Sequence, residues 1–561
     1  MYASTLLMPA RRSAALSRFA WKNILCSIVL LVALAGQAWA QDSPQSPPLP
    51  APGSQPFPAP PAQQPPVPSS PSSPPHPGAG KSGSTTEVPG PGVSVEGQEP
   101  SSPQPGEEQP PAQAGPINKK QAKELFRSVD QILQFASTDT GLPIRHSVKR
   151  KLITREAVSS FVEKHMREDK DTQRAERSQA VLIKFGLLPP DFDLQTEYLL
   201  LLREQVAAYY DPKTKTVNML DWVPPDQQKP VLAHELTHAL QDQAVGLEKW
   251  ELAGAKDDSL LPDNQEEVVE EAEAARDAVA EGQAMIVFLD YSLAPLGVDV
   301  LKAPEVVDAM RSEMGASSDS PIFSAAPMFL RESLLMPYTF GSDLVRYVLK
   351  QKGKDAAFAG LLDKPPLDTR QVMEPDTYLK GEAVEPLKIP DLDKLVGPNY
   401  ERYDFGGMGE FDVYLLAKQY APDKDPKDFY SHWRGGYYLA VHAKGAPKDQ
   451  IALLYMSRWD SPEAAKEFGK IYEAYVPKRY SQWFERGSAP ASGAGGGSGN
   501  QTWWEGPESA RVEVSEQGND MLILEGFDQS TVERLRQALL TGGPAQEDAN
   551  RPASPKSSQP K

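Results

Sequence analysis

Residues 41–117 are dominated by Pro, Ser, Gly and Gln and have almost no apolar periodicity. Such a segment cannot bury enough apolar surface to offset the entropy that ordering removes. We therefore expect a disordered, partly extended tether, so that only the sequence after it can build a core. The tether would either hold a folded domain away from a membrane or cell wall or act as a spacer without a specific role.

The first 40 residues have the pattern of an export signal. Basic residues precede an apolar run over 24–35, and the small residues Ala38 and Ala40 define a cleavage site. We expect an exported protein in the periplasm, the cell envelope or the medium, with an uncleaved anchor as the alternative. The only cysteine, Cys26, lies within this signal, so the mature chain has no disulfide and no thiolate ligand.

The chain carries a formal net charge of −18. Binding to nucleic acid needs basic patches that displace counterions from phosphates, so we do not expect a nucleic-acid partner. After the signal, no run of sequence is apolar and long enough to span a bilayer, and no transmembrane domain is expected. The tether would allow association with the cell envelope.

Helical and strand patterns after residue 117 predict an α+β fold. A mainly helical region with a small sheet is expected over 118–420, followed over 428–540 by a smaller two-layer α+β unit with a repeated strand–strand–helix order. The tail, 541–561, is disordered by composition. In the first region we expect helices over 118–137, 155–167, 175–185, 194–207, 229–245 and 264–293 and a strand over 216–220.

His234, Glu235 and His238 form the pattern His-Glu-x-x-His within the helix predicted over 229–245. Residues four apart share a helix face about 6 Å apart along the axis, so the two imidazoles can bind one Zn²⁺ ion. Glu235 lies beside the metal, where it can take a proton from a water molecule that the metal activates. The competing interpretation is a helix with two incidental histidines and a surface glutamate.

A catalytic zinc needs a third protein ligand and one open position. No further His follows at short spacing, so we expect a carboxylate from the helix predicted over 264–293. Glu281 is favoured because its neighbours are small or apolar, and an acid in an apolar setting needs a cation nearby. Glu273 is the competitor. A solvated face is expected for the earlier acids Glu266, Glu267, Glu270 and Glu271.

The segment His234-Glu-Leu-Thr-His238 with the later Glu281-Gly-Gln-Ala resembles the gluzincin branch of zinc metallopeptidases, which includes thermolysin-like proteases and zinc aminopeptidases. In the aminopeptidases the glutamate ligand lies in a similar Glu-Gly-x-Ala setting. The resemblance, confined to about 205–290, implies His234, His238 and Glu281 as zinc ligands and Glu235 as the base. It departs from thermolysin in that 42 residues separate His238 from Glu281. The run His-Glu-Leu-Thr-His-Ala-Leu-Gln-Asp-Gln is also similar to poorly characterised exported bacterial proteins.

The resemblance implies a zincin-like metallopeptidase domain over 118–420 that hydrolyses peptide bonds, so the expected partner is a peptide or protein substrate. A zinc amidase acting on cell-wall peptides and a non-catalytic envelope scaffold or binding protein, stabilised by its metal, are the alternatives. The strand over 216–220 could be the sheet edge that pairs with an extended substrate, or an ordinary edge strand. Tyr338 could donate a hydrogen bond to a developing oxyanion, although a core tyrosine is the favoured interpretation.

Overall fold

The structure is a computed structural model that describes residues 116–158, 160, 171–205, 208–253, 262–298, 300–302, 305, 321–447, 450–479, 485–491, 499–505 and 511–540. The predicted signal, nearly all of the predicted tether and the predicted tail lie outside these residues, as does most of the helix predicted over 155–167. Within the described ranges, no helix combines the length and apolar character needed to cross a membrane.

The fold is α+β, which confirms the predicted class. A mainly helical region with a three-stranded sheet precedes a unit built on a seven-stranded sheet. The longer helices of the first region are α1 (Lys119–Thr140), α2 (Asp171–Lys184), α3 (Leu194–Gln205), α4 (Pro225–Val245), α5 (Pro262–Leu293) and α6 (Met328–Lys352). Its strands are β1 (Lys149–Ile153), β2 (Ala208–Asp211) and β3 (Thr216–Leu220).

The second unit begins with strand β4 (Tyr400–Gly407) and helix α7 (Glu410–Tyr420). It continues through β5 (Trp433–Ala443), β6 (Ile451–Trp459), α8 (Pro462–Arg479), β7 (Glu485–Ala491), β8 (Gly499–Glu505), β9 (Arg511–Gln517), β10 (Asp520–Glu525) and α9 (Gln529–Leu540). Short helical segments lie at Leu247–Glu251, Ala294–Leu296, Pro321–Ala325, Ala356–Gly360, Leu361–Asp363, Thr369–Met373, Pro375–Lys380, Leu392–Val396 and Lys427–Tyr430.

The three-stranded sheet has the order β1-β3-β2. Strand β1 pairs in parallel with β3, and β2 pairs antiparallel with its other side. The suggestion that residues 216–220 form a sheet edge was therefore wrong, because β3 is the central strand and pairs with a neighbour on each side. The sequence of β1, Lys-Arg-Lys-Leu-Ile, has none of the apolar alternation that identifies a strand.

The seven-stranded sheet has the order β4-β5-β6-β10-β9-β8-β7, and its paired strands are antiparallel. Successive side chains of a strand point to opposite faces, and both faces are buried along β5. Leu439 and Val441 join one apolar cluster, together with α9, whereas Tyr438 and Ala440 join the larger cluster that continues into the helical region. The helices and this sheet therefore share a core.

Helix α4 lies within the core of the helical region. Every residue from Pro230 to Asp242 is buried, and α4 packs against α1 on one side and α5 on another. Pro225 at the first helical position begins the helix without losing an intrahelical bond, because the first N–H groups have no partner there. Gly246 ends it in the left-handed conformation, with φ of 72°. A helix buried on all sides is suited to hold polar groups away from water.

Candidate metal centre

The structure brings the side chains of His234, His238 and Glu281 together. Nε2 of His234 lies 3.1 Å from Nε2 of His238 and 3.1 Å from Oε2 of Glu281, and the remaining side of the triangle, His238 Nε2 to Glu281 Oε2, is 3.4 Å. Helix α4 supplies both imidazoles from one face, since they are four residues apart, and α5 supplies the carboxylate. These three buried side chains form a group that can hold a metal ion.

The donor atoms fit a tetrahedral ion. Ligand atoms bound to such an ion at about 2.0–2.1 Å lie roughly 3.3 Å apart, which is close to all three sides of the observed triangle. The side chains are only 1–2% exposed, so water does not satisfy them. Oε1 of Glu281 is buried without a hydrogen-bond partner among the described residues. A cation would satisfy lone pairs that otherwise converge in a dry interior.

The charges of the group are strongly coupled. Burial opposes ionisation of Glu281, but the charge of His238 and hydrogen bonds from both imidazoles lower the pKa of that carboxyl below its usual range. Burial also disfavours the charged imidazole of His238, but Glu281 and Glu235 outweigh it and raise the pKa of His238 to about 9. Burial lowers the pKa of His234. Without a metal, a proton on His238 therefore supplies the positive charge that the two carboxylates require.

Glu235 lies beside this group and is held by the backbone. Its side chain is fully buried, and Oε2 accepts a hydrogen bond of 2.8 Å from the N–H of Tyr210. Tyr210 belongs to β2, the outer strand next to β3, and its own hydroxyl donates to Asp242 of α4 at 2.8 Å. The carboxylate predicted to act as a base therefore lies between the metal-binding face of α4 and the edge strand of the small sheet.

Two glutamines that were not predicted as site residues extend from His238 in a row, with Gln241 against the imidazole and Gln283 behind it. Gln241 lies three residues after His238 on the same face of α4, and its Oε1 is 2.9 Å from Nδ1 of the imidazole. Gln283 of α5 lies next, with its Oε1 2.9 Å from Nε2 of Gln241. Helical spacing alone could have identified Gln241. Gln283 becomes a neighbour only through the packing of two helices.

Tyr338 of α6 approaches the group from a third helix. Its ring centroid is 6.0 Å from that of His234, and the side chain is buried. Helix α6 comes this close because Gly282 and Gly341 lie where α5 and α6 cross. A Cβ atom on Gly282 would clash with the backbone of Gly341, and one on Gly341 would clash with the carbonyl of Ala278. Two of the small residues near Glu281, Gly282 and Ala278, therefore lie against α6.

Two of the earlier acids of α5, Glu270 and Glu271, do not belong to the solvated face that we expected. Glu270 is 2% exposed, Glu271 is 7% exposed, and both accept hydrogen bonds from backbone N–H groups. Oε2 of Glu270 accepts from Gly407 at the end of β4, and Oε2 of Glu271 accepts from the N–H and hydroxyl of Thr369. These two side chains are buried because β4 and the segment around Thr369 pack on this part of α5. The side chains of Glu266 and Glu267 lie outside the described part of the chain.

The competitor for the third ligand position lies elsewhere on α5. Glu273 is also buried, and it interacts electrostatically with Arg276 of the same helix. It is not a member of the group formed by the two imidazoles. Of the two carboxylates that the sequence left open, Glu281 is the one that the fold places against both histidines.

Comparison with known proteins adds one match. A family model described as a domain of unknown function (DUF8575) matches residues 400–536. The matched range begins at the first residue of β4 and ends within α9, so it corresponds to the unit built on the seven-stranded sheet. No curated protein and no solved structure matches the chain. The metal-binding group lies outside the matched range.

Proposed function

We propose that this protein hydrolyses peptide (amide) bonds, with zinc bound by His234, His238 and Glu281 and with Glu235 as the general base. The observation that carries the proposal is that a fourth buried side chain, the carboxylate of Glu235, lies on the same helix as the two histidines of the metal-binding group. A site that only holds a metal does not need an additional acid, whereas a hydrolase needs a group that accepts a proton.

Zinc suits two imidazole nitrogens and one carboxylate oxygen, which is a donor set of catalytic zinc sites. When bound, it polarises a carbonyl and lowers the pKa of water. Glu235 would take the proton from the attacking water and pass it to the leaving nitrogen. The N–H of Tyr210 holds the orientation of that carboxylate. The phenol of Tyr338, beside His234, would donate to the oxyanion that forms on the carbonyl.

The position of β2 favours a peptide as the substrate. Strand β2 lies at the edge of the three-stranded sheet, and its residue Tyr210 contacts Glu235. An extended peptide that binds along an edge strand is fixed by backbone hydrogen bonds whatever its side chains. Such a peptide would lie beside the proposed base. In this proposal β2, and not β3, would be the strand that pairs with the substrate.

A metal that only stabilises the fold is the second candidate, and the near-complete burial of the three ligands favours it. Structural zinc sites are usually closed by four protein ligands. In the residues that the structure describes, three side chains converge. This count favours the catalytic proposal over the structural one.

The test compares the zinc-loaded wild-type protein with Glu235→Gln. Incubation with an unstructured protein, a peptide library and cell-wall muropeptides would also separate a peptidase from an amidase. We expect Glu235→Gln to lower turnover by about 10²-fold or more and to retain one zinc per chain. Glu248→Gln, which changes a more exposed glutamate just after α4, is the matched control and should keep wild-type turnover. Full turnover in Glu235→Gln would contradict the proposal, and zinc-loaded wild type that cleaves none of these substrates would favour the structural role.

A further inference from the structure

We propose that Gln241 and Gln283 form a relay of two amides that fixes the tautomer of His238, with its proton on Nδ1 and its Nε2 lone pair directed at the metal. The inference rests on the proposed function only in assuming that a metal binds at His238. It assigns a positioning role to two residues that lie outside the metal-binding group. The direction of every bond in the relay follows from two backbone carbonyls at its far end.

The far end of the relay is the short π-helical segment Ala356–Gly360. Nε2 of Gln283 lies 2.8 Å from the carbonyl oxygen of Ala357 and 2.9 Å from that of Phe358. A carbonyl oxygen only accepts, so both N–H bonds of the Gln283 amide are directed at this segment. The amide oxygen of Gln283 must then point the other way, toward Gln241.

Gln241 continues the relay with the same polarity. Its Nε2 lies 2.9 Å from Oε1 of Gln283 and 2.9 Å from the carbonyl oxygen of Ala280, so both of its N–H bonds are used as well. Its Oε1 is left facing Nδ1 of His238 at 2.9 Å, and an amide oxygen can only accept. The proton of His238 therefore lies on Nδ1. Nε2 is the ring atom that faces His234 and Glu281.

Neither amide can reverse without cost. A flipped Gln283 would place its oxygen against the carbonyls of Ala357 and Phe358, and a flipped Gln241 would place its oxygen against that of Ala280. Gln241 and Gln283 are both fully buried, so water cannot replace a lost bond. An unsatisfied buried polar group costs about 1–3 kcal/mol, and a low local dielectric strengthens the bonds that are made. The relay is therefore held in one direction over its whole length.

The test measures zinc affinity, by competition with a chelator, in Gln241→Leu and Gln283→Leu. Partners that orient a ligating histidine typically contribute 10–100-fold to metal affinity, so we expect losses of about that size in both variants. Gln228→Leu is the matched control. Gln228 is a buried glutamine of the same helix that bonds the backbone of Leu220 and Val223 and does not touch His238. It should lose stability and keep wild-type zinc affinity.

A second measurement does not depend on whether the leucine variants fold. In zinc-loaded wild-type protein labelled with ¹⁵N-histidine, we expect the spectrum to show a proton on Nδ1 of His238 and zinc on Nε2. Zinc on Nδ1, or an Nδ1 without a proton, would overturn the relay. So would a Gln283→Leu variant that folds with unchanged zinc affinity.

The relay and the proposed hydrolysis can be disproved independently, because the zinc affinity and the tautomer of His238 are measured without a substrate. Weak zinc binding by both relay variants, together with an Nδ1 proton in a wild type that cleaves no peptide, would support the relay and remove the hydrolase. If the wild type cleaves peptides and depends on Glu235, but Gln283→Leu keeps its zinc affinity, the relay is disproved and the hydrolase proposal stands.

Discussion

The rings of Tyr338 and His234 lie 6.0 Å apart between centroids and are inclined to each other by 35°. His234 belongs to α4 and Tyr338 to α6, so a phenol from a separate helix reaches the metal-binding group. Sequence reasoning favoured an ordinary core tyrosine at this position. Tyr338 is indeed buried, but its neighbour is an imidazole of the candidate site. Its position gives the phenol a testable part in turnover.

Tyr338→Phe removes the hydroxyl and keeps the ring. If the hydroxyl donates to a developing oxyanion, the variant should lose about 10²–10³-fold in kcat, since that donor would act mainly in the transition state. Zinc content should not change. Tyr378→Phe is the control, because the hydroxyl of Tyr378 donates to the carbonyl of Lys364 at a more exposed position. Equal kcat for Tyr338→Phe and wild type would show that the tyrosine only fills space.

Gly282→Ala tests the crossing of α5 and α6. An added methyl group would meet the backbone of Gly341, which cannot move without shifting α6, so we expect a loss of about 1–3 kcal/mol in the free energy of unfolding. Gly469→Ala in α8 is the matched control. The atom nearest to a Cβ there is the tip of the flexible Glu516 side chain, so replacing a helical glycine should be neutral or stabilising. Denaturant unfolding of both variants checks the contrast.

Glu281→Ala and Glu273→Ala separate the two carboxylates that the sequence left open. Removing Glu281 deletes one of three converging donors, so we expect the variant to lose stoichiometric zinc after dialysis. Glu273→Ala should retain one zinc per chain, because Glu273 interacts with Arg276 and lies outside the metal-binding group. Metal analysis of the two purified proteins decides. The reverse result would assign the third ligand to Glu273.

Stability of the metal-free protein should fall as the pH rises above neutrality. Glu281 and Glu235 overcome the effect of burial and raise the pKa of His238 from its ordinary value of 6.5 to about 9. A raised pKa stabilises the fold fully below the unfolded value, and this stabilisation is lost as the pH rises through the folded value. We therefore expect Tm of the metal-free protein to decrease between about pH 6.5 and 9.

Two controls accompany this pH profile. In His238→Gln the decrease should be absent or much smaller, because the titrating group is gone. Zinc-loaded wild type should also lack it, since a ligating imidazole is neutral and zinc binding improves as protons leave. Identical profiles for metal-free and zinc-loaded protein would contradict the coupling between His238 and Glu281.

The sequence predicted the helix of the metal-binding group well because local signals agreed there. The histidine spacing and the apolar neighbours predicted a helix over 229–245, and the structure has it as Pro225–Val245, so that it begins four residues earlier than expected. Strand β3 was predicted with its observed bounds, Thr216–Leu220, because it is apolar and flanked by turn residues. Glu281 was favoured by its apolar surroundings, which reflect its burial against α4.

What the sequence did not reveal depends on contacts between distant segments. Strands β1 and β4 have mixed, charged sequences that do not alternate, and their pairing with β3 and β5 makes them strands. The burial of Glu270 and Glu271 is equally invisible, because it depends on backbone N–H groups 137 and 98 residues away. Buried acids that accept hydrogen bonds from the backbone cannot be distinguished by sequence from acids on a solvated helix face, because both are runs of the same residue types.

The hydrogen bonds that Glu270 accepts from Gly407 and Glu271 accepts from Thr369 limit where the two parts of the chain can be separated. Gly407 belongs to the matched family domain, so Glu270 is bonded to that domain directly. Glu271 is linked to it through Thr369, whose hydroxyl donates to Glu271 and accepts from the N–H of Glu410 at the start of α7. A gene fusion with its breakpoint just before residue 400 would remove the backbone N–H of Gly407 from Glu270, about three turns of helix before the metal-binding Glu281. The helical region and the matched family domain should therefore be transferred together in any fusion protein.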